Sequence, residues 1–209
     1  MKKNLLIISV CVLAIFFSSS AYSAEGLYVS GNIGFAMLSD SDITDSTDSG
    51  VTLTMEYDTG WTLGGALGYG FGSFRVEGEI AYQANDIDKL SILGIPFNAS
   101  GDVSSLAFLI NGYFDFVNDS AFTPYLSAGL GYAKVDLNDF NIAGSGEPDY
   151  SDDDSVFAYQ VGLGVGYAVT EKVTIDVKYR YFATEDPEFD TAEVEVASHN
   201  FLFGVRFNF

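Results

Sequence analysis

The chain has 209 residues, 48% hydrophobic and 15% aromatic, and its 29 acidic against 9 basic side chains give a formal net charge of −20. That charge argues against a nucleic-acid binder, because neutralising phosphates needs lysine and arginine. The aromatic content argues against an acidic disordered chain, so the question is where the carboxylates sit.

The first segment reads as an address. Lys2 and Lys3 precede an apolar run from Leu5 to Phe17, and Ala21-Tyr22-Ser23 sets small residues around a cleavage point after Ser23. This is the pattern of a secretory signal peptide over 1–23, and the run is too short to span a bilayer as a helix. The one cysteine, Cys11, falls inside it. The mature chain from Ala24 is therefore expected to carry no disulfide, thiol chemistry or cysteine metal site. Losing the leader leaves 7 basic against 29 acidic side chains, a net charge of −22.

From there the sequence alternates with period two, the mark of strands between two unlike environments. Eight stretches stand out, at about 26–38, 59–71, 74–85, 103–116, 122–135, 155–168, 172–183 and 197–209. In the second, Trp61, Leu63, Leu67, Tyr69 and Phe71 oppose Thr62, Gly64, Ala66, Gly68 and Gly70. In the sixth, Phe157, Tyr159, Val161, Leu163, Val165 and Tyr167 oppose Ala158, Gln160, Gly162, Gly164 and Gly166. A soluble sandwich also alternates. Here the apolar face is too bulky, the strands too long and the opposite face too rich in glycine for one.

The connections alternate too. Those at 39–58, 86–102, 136–154 and 184–196 are long, and those near Gly72-Ser73, Val117–Ser120 and Val169–Glu171 are tight. This predicts an all-β fold, an eight-stranded antiparallel up-and-down transmembrane β-barrel over 24–209, with long acidic loops outside and both termini in the periplasm. Aromatic residues fall in two bands. Tyr69, Phe71, Phe74, Phe114, Phe116, Phe122, Tyr167, Phe207 and Phe209 lie at the tight-turn end. Phe35, Trp61, Tyr82, Tyr132, Phe157 and Tyr181 lie towards the other. The four long connections hold 22 of the 29 carboxylates and one basic residue, Lys89.

On the inward faces, Arg75, Glu77, Glu79, Asp115, Asp176, Lys178, Arg180 and Arg206 sum to zero charge. Eight strands leave a lumen just wide enough for side chains, and buried charges must be paired. These eight, with Asn111 and Tyr113, are expected to fill the lumen as an ion-pair network. A narrow channel gated by the same pairs is the functional alternative. Catalysis has little support. Ser198 and the only histidine, His199, are strand neighbours pointing to opposite faces, outside the reach that a Ser–His dyad needs. Asp149, Asp152, Asp153 and Asp154, like Asp40, Asp42, Asp45 and Asp48, lack calcium-loop spacing. Gly162, Gly164 and Gly166 form a strand face rather than a dinucleotide turn, because no helix follows. No metal and no cofactor is expected.

Several segments carry a resemblance: Pro124-Tyr125-Leu126-Ser127-Ala128-Gly129-Leu130-Gly131-Tyr132, Tyr179-Arg180-Tyr181-Phe182 and Phe203-Gly204-Val205-Arg206-Phe207-Asn208-Phe209. They resemble the small outer-membrane β-barrels of Gram-negative bacteria, the OmpA-type, OmpX-type and opacity or surface-antigen group. The resemblance implies an outer-membrane location among lipid and lipopolysaccharide. It also implies that Phe207 and Phe209 serve as the signal read by the barrel-assembly machinery. The peptidoglycan-binding domain of longer OmpA-type chains is not expected. The function expected is a non-enzymatic surface protein whose loops meet host or surface ligands, not nucleic acid. A channel is the alternative, and a lipid-active enzyme the more distant one.

Overall fold

A computed structural model describes residues 25–45, 53–92, 95–142, 150–185, 187–189, 192–194 and 196–209. The expected signal segment 1–23, with Cys11, lies outside them. Their strands in chain order are β1 (Gly26–Leu38), β2 (Ser41–Asp45), β3 (Leu53–Tyr57), β4 (Gly60–Phe71), β5 (Phe74–Ile92) and β6 (Ile95–Asp115). There follow β7 (Phe122–Ile142), β8 (Tyr150–Ala168), β9 (Val173–Thr184), β10 (Glu188–Phe189), β11 (Ala192–Val194) and β12 (Ala197–Asn208).

Eight of these form a closed ring, β1–β4–β5–β6–β7–β8–β9–β12, every pairing antiparallel. The ring closes where β12 returns to β1, from Tyr28↔Asn208 to Leu38↔Ser198. Closure matters because an open ring would leave two edges with unpaired backbone groups. Each of its eight strands covers one of the eight alternating stretches to within a residue at either end, and β5 to β8 run on beyond theirs. The pleat sends the bulky set outward, with Ile33, Leu67, Ile110 and Phe203 exposed, and the small or charged set inward. At one end the turns are tight. Phe71 pairs with Phe74 across Gly72-Ser73, and Gly72 takes the positive φ of 72° that such a two-residue hairpin turn needs.

The other end differs from expectation. The connections expected at 86–102 and 136–154 are largely strand, because β5 and β8 run to 19 residues and β6 and β7 to 21. Register shifts fall at Asp86/Lys89, Ser100/Asp102 and Leu137/Phe140, where the wall leaves the regular ring. Each inserts residues on one strand and re-aims the chain beyond it. Gly101 and Asp139 take positive φ there. The connections expected at 39–58 and 184–196 hold the short strands β2, β3, β10 and β11. These extend the sheet from β5 in the order β5–β3–β2–β11–β10.

Two interiors result. One is the polar lumen inside the ring. The other is an apolar cap above it, where Met55, Ile87, Leu90, Val103, Val135, Leu137, Val156 and Val196 are buried together.

Candidate functional site

The lumen is packed in layers, and seven of the eight expected charged residues are buried there, Asp176 being half-buried. Nearest the tight turns, the Arg75 guanidinium donates to Asp115 from Nε at 2.7 Å and from Nη2 at 2.9 Å. Its Cζ lies 4.2 Å from the centroid of the Tyr113 ring and 5.1 Å from that of Tyr125. Fork geometry and stacking suit arginine better than lysine at this place. Across the lumen Arg206 faces Asp176 at a longer 3.8 Å.

One layer higher, Glu77 accepts hydrogen bonds from the Tyr28 hydroxyl at 3.0 Å, from the Tyr113 hydroxyl and from Asn111. Lys178 Nζ donates to Tyr113 Oη at 3.3 Å. Above that, Glu79 gathers Arg180 Nη1 at 3.2 Å, Asn111 at 2.6 Å and Gln160 at 3.0 Å. These bonds span β5, β6, β8 and β9, so they tie opposite walls together. A top polar layer follows. Ser198 donates to Gln83 at 3.1 Å, and Asn85 donates to the carbonyls of Ala36 and Asp58.

The inward glycines are the space these side chains occupy. A Cβ on Gly68 would lie 2.3 Å from the Tyr28 ring, and one on Gly129 would lie 1.9 Å from Asn111 Oδ1. The small-residue face and the charged face are thus two halves of one packing arrangement. A cavity of about 40 Å³ remains beside Asn32, Asp176 and Arg206, room for a water rather than for an organic substrate. The apolar cap sits across the lumen beyond the polar layers.

Ser198 and His199 point apart. Ser198 is buried on the lumen side, whereas His199 sits on the outward face with Tyr179 Oη 2.7 Å from its Nδ1. No dyad forms between them. Phe207 and Phe209 lie on the outward face at the tight-turn end, ring centroids 5.5 Å apart. All nine aromatic residues expected at that end are exposed. At the other end Phe35, Trp61 and Tyr132 are exposed, and Tyr82, Phe157 and Tyr181 are half-buried. Trp61 pairs with Tyr82 and Tyr132 with Phe157.

Beyond that band the outward face changes character. Lys134, Asp136 and Asp153 stand outward on β7 and β8, as do Asp86 and Asp88 on β5. Among the described residues the cations here are Lys89 and Lys134, and both are held by carboxylates. Lys89 lies 2.5 Å from Asp88, and Lys134 contacts Asp136 and, at 3.3 Å, Asp153. The hydrogen bonds they donate to Asp88 and Asp136 hold these two ammonium groups above the ordinary lysine pKa. The surface therefore offers carboxylates without free counter-cations. Asp40 is exposed there as well, and Asp149 lies outside the described residues.

Sequence reasoning found the charged lumen residues and missed the apolar cap. The signal was present, because alternation continues through Lys134-Val135-Asp136-Leu137 with its sense reversed, apolar side inward.

Comparison with known proteins bears on this architecture. The family profile described as Outer membrane protein beta-barrel domain matches residues 9–209. The Outer membrane protein PagN of Salmonella typhimurium is 29% identical, over 99% of this chain and 100% of that protein. Among solved structures, Neisserial surface protein A is 23% identical with a TM-score of 0.57, covering 90% of this chain and 100% of that one. The outer membrane protease OmpT of Escherichia coli is 10% identical with a TM-score of 0.55, covering 91% of this chain and 99% of that one. At such identities the structural likenesses show the fold alone, and the fold is shared by a protease and a surface protein.

Proposed function

The chain belongs to the outer membrane protein beta-barrel family, and from that premise we propose that it is a non-enzymatic surface protein of the Gram-negative outer membrane. It presents an acidic outer lobe to host or surface ligands. One observation carries this reading: the upper lobe, outside the ring's apolar belt, holds the unbalanced charge, while the lumen charges sum to zero, are held in ion pairs or hydrogen bonds, and lie beneath the cap. The lumen then serves stability, and the lobe is the surface left for partners. The relative PagN is named an outer membrane protein, which agrees with this location.

In this reading residues 1–23 are removed on export, both termini face the periplasm, and Phe207 and Phe209 are read during assembly. Lipid and lipopolysaccharide surround the exposed belt. A channel is disfavoured by the cap, and a histidine-based hydrolase by the outward His199. Planar bilayers should show no single-channel conductance.

The test is surface binding and topology. With Cys11 removed alongside the leader, Asp139→Cys should react with an impermeant maleimide on intact cells and Asp119→Cys should not. Cells displaying the chain should bind host-cell or matrix surfaces. Shortening 39–58, 86–102, 136–154 and 184–196 should abolish that binding while the barrel keeps its heat-dependent gel shift. Binding unchanged by the shortening would overturn the reading.

A further inference from the structure

We propose that the inner face of the two projecting hairpins, β5–β6 and β7–β8, is a docking surface for a cationic amphipathic peptide segment of a partner. This rests on the surface-protein reading above and gives that partner its chemistry.

The register places one apolar run on this face. Leu90 pairs with Phe97, Ala99 with Ile142, and Phe140 with Tyr150. Leu90 belongs to the buried cap, and Ala99, Phe140 and Ile142 pack against it. The run does not end when the cap is filled. Phe97 and Tyr150 remain 41% exposed and Ile95, on the same side of β6, 61% exposed. Inside the lipid belt exposed apolar groups are solvated by acyl chains. Here they stand beyond the aromatic band, where water is the solvent and such groups mark interaction sites.

Charge selects the occupant. Asp152 is register-paired with the buried Leu137 and Asp154 with Val135, so both carboxylates stand on this same inner face. The Tyr150 hydroxyl donates to Asp152 at 2.8 Å, joining the apolar run to the acidic one. Asp86, Asp88 and Asp153 add negative field from the outward face of the same hairpins, Asp139 is exposed, and Lys89 and Lys134 are already engaged. A polyanion is repelled by this field, and a neutral apolar ligand leaves it unmatched. A purely polar cation leaves Ile95 and Phe97 wet. A segment with lysine or arginine on one side and bulky apolar residues on the other satisfies both features.

The test uses the full chain folded in nanodiscs of zwitterionic lipid, with empty nanodiscs as reference. The probes are an amphipathic Lys/Leu peptide of about 14 residues, a Gln/Leu peptide of the same pattern and an oligolysine of the same charge. The Lys/Leu peptide should bind in a salt-sensitive manner and the other two at least tenfold more weakly, roughly the discrimination of one interface anchor. The double variants Ile95→Ser/Phe97→Ser and Asp152→Asn/Asp154→Asn should each weaken Lys/Leu binding by about tenfold. The first changes exposed residues, and its folding is checked by the gel shift. Oligolysine binding as tightly as the Lys/Leu peptide, wild-type affinity in the folded Ile95→Ser/Phe97→Ser variant, or no Lys/Leu binding at all would each overturn the proposal. Cell-surface binding that persists while the Lys/Leu peptide fails sinks this inference alone. Failure of both sinks the surface-protein reading with it.

Discussion

The ring and the lobe above it are built from the same strands and have opposite interiors. On β7, Leu126 and Leu130 face outward with Ser127 and Gly129 inward. A few residues on, Lys134 and Asp136 face outward with Val135 and Leu137 inward. On β5, Val76 and Ile80 outside answer Glu77 and Glu79 inside, and then Asp86 and Asp88 outside answer Ile87 and Leu90 inside. The wall turns inside out at the aromatic band. The lesson is about solvent. Where the outside meets lipid, apolar side chains gain nothing by hiding, so the inside is held by hydrogen bonds and ion pairs. Where the outside meets water, the hydrophobic effect returns and the inside becomes apolar.

Breaking each interior in turn sharpens this contrast. The largest effect is expected in the lumen. Arg180→Ala removes the guanidinium in contact with the buried Glu79 and should cost about 3–5 kcal/mol, read from the urea midpoint of the folded barrel. Glu79→Gln with Arg180→Met should recover part of that loss, because the two charges are removed together and Lys178 keeps its hydrogen bond to Tyr113. Next comes the cap, where Leu90→Ala should cost about 2–5 kcal/mol. That loss should open the lobe to protease while the ring keeps its gel shift. Gly68→Ala pushes a Cβ against the Tyr28 ring and should cost about 1–3 kcal/mol by overpacking. Smallest is Lys134→Ala, whose exposed pair should leave the midpoint where it was. Its folded pKa is raised. Any contribution is therefore complete below the unfolded lysine value and disappears only as pH rises through the folded one.

The ring was legible because its alternation is uninterrupted. The residues expected at 26–38 and those of β1, Gly26–Leu38, are the same. The upper ends of β5 and β6 were hidden by the irregularities at Asp86/Lys89 and Ser100/Asp102, that of β7 by its reversed sense and then by the irregularity at Leu137/Phe140, and that of β8 by the acidic run Asp152-Asp153-Asp154. A bulge shifts a period-two pattern by a residue, so the strand reads as though it stopped. The strands β2, β3, β10 and β11 are two to five residues long and exist through pairing in succession outward from β5, which no local pattern announces. Among the lumen charges the inward set could be read from parity. Partners such as Glu79 and Arg180, 101 residues apart, could not, because they meet only after the ring closes.

The inversion of the wall is the claim to test most directly. Single nitroxide labels at the outward β7 positions Leu126, Leu130, Lys134 and Asp136, in lipid vesicles, would be scanned for relaxation by oxygen and by a water-soluble nickel chelate. Positions 126 and 130 should favour oxygen and positions 134 and 136 the nickel chelate, with the crossover at Tyr132. Four labels that all favour oxygen, or no crossover along the strand, would contradict it.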